Sequence, residues 1–122
     1  MKDRDDISKQ SARHALRARF DARIANDTSE LQRLWHAAAA ADAVRRRESI
    51  DAIQDIAHRL AGLGGMFGHP AISDAAARLE QACAEAVSSP PGPGGADTRG
   101  LTVHIAALTA ALAAAADGSA DI

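Results

Sequence analysis

The chemistry of this chain centres on one histidine. In the stretch IDAIQDIAHRLAGLGGMF, residues 50–67, a spacing of about 100° per residue puts Ile50, Ile53, Ile56, Leu60, Leu63 and Phe67 on one side of a helix, with Ala57 and Gly64 among them. His58 falls nearly opposite that apolar side, so its imidazole points to solvent. Its neighbours along the outward face are Gln54 at i−4, Ala61 at i+3, Gly62 at i+4 and Gly65 at i+7. The surface beside the ring is bare. Each glycine inside a helix costs roughly 0.8–1.0 kcal/mol relative to alanine, and this helix holds Gly62, Gly64 and Gly65. Gly64 faces the core and lets another helix approach, whereas Gly62 and Gly65 make sense if a second macromolecule must reach the histidine. Transfer of a group to and from an imidazole nitrogen is the chemistry that needs such access.

The same residues carry a family resemblance. His58, Leu60, Gly62 and Gly68, in the run HRLAGLGGMFG, resemble the histidine phosphotransfer (HPt) signature H-x-L-K-G-x-x-x-x-x-G. The departure is Ala61, where the family carries a lysine that steadies the phosphoryl group; Arg59 is the nearest replacement, about 100° round the helix from His58. The resemblance implies that His58 takes a phosphoryl group from the aspartyl phosphate of a response-regulator receiver domain and hands it to a second receiver. A hybrid sensor kinase is a further possible partner. It also implies that the partner brings the Mg²⁺, so no cofactor is expected on this chain. Gln54 or Asp55 is expected to orient the second ring nitrogen.

Composition supports a helical fold. The aromatics are only Phe20, Trp35 and Phe67, so the core must be aliphatic and alanine-rich, which favours closely packed helices over a sheet. The first 50 residues hold 11 of the 14 Lys and Arg and 8 of the 16 Asp and Glu. The first part is therefore net basic and the rest acidic. A nucleic-acid binder needs a dominant basic face, which this distribution does not give, although an acidic partner would be drawn toward the first helices. One cysteine, Cys83, rules out an internal disulfide, and the opening MKDRDDISK has no hydrophobic signal region; the expected compartment is the cytoplasm. The most apolar run, Leu101 to Ala116, has 16 residues, half of them alanine, and is too short and too weakly apolar to span a bilayer.

In chain order, residues 1–7 are expected to fray. Ala12, Leu16, Phe20 and Ile24 then recur every fourth position as one helix face. Asp27 with Glu30 reads as a capping box, yet the rhythm continues at Leu31, Leu34, Trp35 and Ala38, so either one long helix kinks near residue 27 or two helices meet there, a break of modest angle being favoured. Residues 41–47 read as a connection into the central helix, which starts near residues 45–48 and ends near Gly68. Pro70 opens a third helix that buries Ile72, Ala76, Leu79, Cys83 and Ala86. The run SSPPGPGGADT, residues 88–98, is a loop, and a last helix aligns Leu101, Ile105, Leu108, Leu112 and Ala115 before a tail at 117–122. The expected fold is a single all-α domain over residues 1–122: an antiparallel four-helix bundle with an N-terminal helical extension.

Competing chemistries are less well supported. Asp51, Asp55 and His58 stand at i, i+4 and i+7, but a carboxylate-bridged metal pair needs a second Glu-x-x-His helix that the sequence lacks. His14 and His36 lie on helices at ambiguous angles, His69 belongs to a turn, His104 has no partner in sequence, Cys83 lies on a core stripe, and Arg45 to Arg47 form a solvated helix start. No nucleophile, base and orienter grouping points to a hydrolase. The alternative to phosphotransfer is a helical interaction module in which the glycine patch binds a partner and His58 is incidental. No long exposed heptad seam demands a dimer, so a monomer is expected.

Overall fold

The computed structural model describes residues 2–40, 42–88 and 99–118. It contains four helices: α1 (Lys2–Ala40), α2 (Ala43–Met66), α3 (Pro70–Ser88) and α4 (Arg99–Gly118). Each helix packs on the next, α2 most extensively on α3, while α1 and α4 meet least. The expected four-helix bundle is the observed one. Phe20 of α1 stacks on Phe67, just beyond the far end of α2, with ring centroids 4.6 Å apart, whereas the other ends of the two helices are joined through residues 41–42. The pair is therefore antiparallel.

The helices follow from apolar spacing. On α2, Ile50, Ile53, Ile56, Ala57 and Leu60 are buried, and on α4 Leu101, Ile105, Leu108 and Leu112. The α3 stripe is buried at Ile72, Ala76, Leu79, Cys83 and Ala86, every position that its period assigns to the core. Burying each of the larger aliphatic side chains contributes about 1.5–3 kcal/mol. Their shared direction on each helix is what closes the bundle.

Helix ends and the first helix correct the sequence reading. α2 begins at Ala43, earlier than residues 45–48, because Asp42 caps it: its carboxylate accepts from the Arg45 backbone N–H at 2.9 Å. Arg46 is not merely solvated, since its Nε donates to the Ala38 carbonyl at the end of α1. α1 runs from Lys2 through residue 27 to Ala40 as one helix, so no break at Asp27 is found. Asp27 is fully buried instead of capping. Arg23 Nε approaches Asp27 Oδ2 at 3.4 Å, and Arg59 Nη2 of α2 approaches Oδ1 at 3.5 Å. Leu16 and Ala12 also depart from the expected core face, Leu16 being 50% exposed, because α1 continues past the end of α2 and, among the described residues, has no helix to pack on there. The loop at 89–98 and the tail at 119–122 lie outside the described residues, while Ser88, Asp117 and Gly118 are helical.

Gly68 and Gly64 fix the turn that separates α2 from α3. Gly68 adopts φ +74°, a conformation that L side chains rarely take, and the His69 N–H donates to the Gly64 carbonyl at 2.7 Å, which ends the helix with a left-handed cap. The Ser73 N–H then bonds to the His69 carbonyl as α3 begins.

Candidate functional site

His58 projects from the middle of α2, its side chain 75% exposed. The outward placement expected from the helical wheel is observed. Its Nδ1 lies 2.7 Å from Oε2 of Glu80, on α3. A carboxylate only accepts hydrogen bonds, so Nδ1 carries the proton in this pairing and Nε2 keeps its lone pair free. The ring orienter is thus Glu80 from the next helix and neither Gln54 nor Asp55. Those residues sit one turn back on the same helix, whereas the ring leans toward the α2–α3 seam where Glu80 stands. Sequence reasoning missed Glu80 because 22 residues separate it from His58. Its place on the α2-facing flank of the α3 stripe, one position after buried Leu79, was the available signal.

The glycines divide into two kinds. A Cβ at Gly62 would meet nothing within 4 Å, and one at Gly65 would have only Ser73 Oγ at 3.8 Å. Both are exposed, so the clearing beside His58 is real. At Gly64 a Cβ would fall 2.7 Å from the Ser73 backbone nitrogen and 3.2 Å from the Ile72 Cβ. That glycine is a packing requirement that lets α3 approach. Ala61 is only partly open: it packs against the core, and its carbonyl accepts from Ser73 Oγ at 2.8 Å.

Charge near the ring is negative. The ionisable neighbours of His58 along its own face are Asp51 and Asp55, both exposed, with Glu80 opposite. Arg59 does not replace the missing lysine: its guanidinium lies against Asp27 of α1, on the side of α2 turned away from the imidazole. Burial pushes the Cys83 thiol up to about 12, and the charges of Asp51 and Glu80 push it the same way, so this cysteine is a protonated core side chain. Among the described residues no three His, Cys, Asp or Glu side chains come together to hold a metal ion, and Asp51, Asp55 and His58 do not form such a set.

The Hpt domain family model matches residues 10–118, nearly the whole chain and all four helices. The chain belongs to the Hpt domain family. Hpt domains act in histidine phosphotransfer, between the receiver and kinase domains of two-component phosphorelays. The all-α bundle and the family match agree, and no described helix is long and apolar enough to cross a membrane. No curated protein and no solved structure gave a significant match to this Hpt domain.

Proposed function

We propose that His58 is the phosphoryl carrier of this Hpt domain, taking the group from the aspartyl phosphate of one receiver and passing it to the aspartate of another. The observation that carries this reading is the pairing of an exposed imidazole with Glu80, beside the open surface at Gly62 and Gly65. With Nδ1–H donated to Glu80, the Nε2 lone pair attacks phosphorus. The bond from phosphorus to the receiver's aspartyl oxygen breaks, and that oxygen leaves as carboxylate. The Nδ1 proton stays between ring and Glu80 throughout, and the return transfer runs the same steps backwards. A neutral imidazole nitrogen is a competent nucleophile near pH 7.

The carboxylates Asp51, Asp55 and Glu80 oppose a phosphoryl group on the ring, so cationic stabilisation comes from the partner. The receiver's Mg²⁺ supplies it, in place of the lysine that Ala61 omits and that Arg59 does not provide. The protein works as a monomer in the cytoplasm alongside its receivers, with Gly62 and Gly65 giving the docked domain its approach.

The test is incubation with a ³²P-labelled receiver, followed by analysis for acid-labile, base-stable phosphate on this chain. Label is expected on the wild type and absent from His58→Gln. Receiver binding with no label transferred, or label retained by His58→Gln, overturns the assignment and leaves an interaction module.

A further inference from the structure

We propose that the N-terminal overhang of α1 and the end of α2 form a second docking groove, apart from the His58 clearing, that takes an acidic amphipathic helix of a partner protein. α1 has 39 residues against 24 in α2, and Phe20 marks where the end of α2 is reached. Beyond that point Leu16 is left half exposed beside Phe20, Leu63 and Phe67. These four side chains floor a hollow of about 570 Å³, and a neighbouring hollow of about 450 Å³ shares Leu16 and Phe67 with it. The two adjoin at Leu16 and Phe67, and their linings together run from Gln10 to Arg23, roughly 20 Å along α1.

The rim is basic. Arg13 and Arg19 border the trough and, among the described residues, have no acidic partner. Arg23 and Arg59 also line it; they share the buried Asp27 yet stay 46% and 48% exposed. An apolar floor between guanidinium groups is complementary to a helix that carries an aliphatic stripe flanked by carboxylates, the helix-in-groove mode of recognition. A nucleic acid fits less well: Phe20 is buried under Phe67, which leaves one ring rather than a platform on which successive bases stack. The trough lies 100° or more round α2 from His58, which leaves the imidazole open while the groove is filled.

The test uses the full chain and a fluorescein-labelled 15-residue helical peptide with leucine at i, i+3, i+4 and i+7 and glutamate on both flanks. Fluorescence anisotropy is expected to give saturable binding that weakens as salt rises. The double variant Arg13→Glu/Arg19→Glu, and separately Leu16→Glu, are expected to weaken it tenfold or more. Both sites are exposed, so circular dichroism and label transfer to His58 should stay at wild-type level in either variant. A peptide with lysine for glutamate is expected not to bind. Equal binding of the two peptides, or wild-type binding by the double variant, overturns the proposal. So does tighter capture of anionic vesicles or of a single-stranded oligonucleotide, or a dimer seen by sedimentation that the same variants abolish.

Discussion

On α2, His58 and Arg59 are consecutive in sequence, yet the two faces they begin are built for opposite tasks. The His58 face is open and acidic, with Gly62 and Gly65 flanking the ring, Asp51 and Asp55 along the helix and Glu80 opposite. The Arg59 face is apolar and basic, running through Leu63 to Phe67 under α1 and reaching the buried Asp27. Because a helix turns about 100° per residue, one step in sequence is enough to separate a reactive surface from a structural one. The faces should therefore respond separately to mutation, the first in transfer and the second in stability.

The largest effect is expected from His58→Gln, which should abolish phosphate uptake in the label assay while urea unfolding is unchanged, since the side chain is mostly solvent-exposed. Gly62→Trp should come next: a bulky side chain in open space beside the ring should slow transfer tenfold or more, with helicity by circular dichroism close to wild type. Glu80→Gln keeps the shape but loses the charge-assisted bond that selects the tautomer, so transfer should slow by about tenfold, the equivalent of about 1.4 kcal/mol. On the other face, Arg59→Gln should leave transfer untouched and cost about 1–2 kcal/mol in urea unfolding, because Asp27 is then left with Arg23 alone. Smallest of all, Gly62→Ala should stabilise the chain by roughly 0.5–1 kcal/mol in thermal melts. Loss of transfer in Arg59→Gln, or loss of stability in His58→Gln, would dissolve the distinction between the faces.

Much of this was legible because it is local. The stripe from Ile72 to Ala86, the outward placement of His58, the role of Pro70 and the different environments of Gly62 and Gly64 all follow from a period of 3.6 residues. Two of the misses share one cause. Asp27 and Glu30 have the spacing of a capping box, but the carboxylate of Asp27 is claimed by Arg59, 32 residues later, and no local pattern records that. Glu80 escaped for the same reason. Leu16 shows a different limit: periodicity says which side of a helix would be buried, not whether a neighbour extends far enough to bury it.

The pairing of His58 with Glu80 spans two helices, so the aim of the imidazole is a reading of how α3 sits on α2. Gly64 sets that seat, with the Ser73 nitrogen 2.7 Å from where a methyl group would be. A substituent there would jack the two rods apart and lift the carboxylate away from the ring. Position 64, which touches no phosphate and faces no visitor, thereby acts as the set screw for the nucleophile.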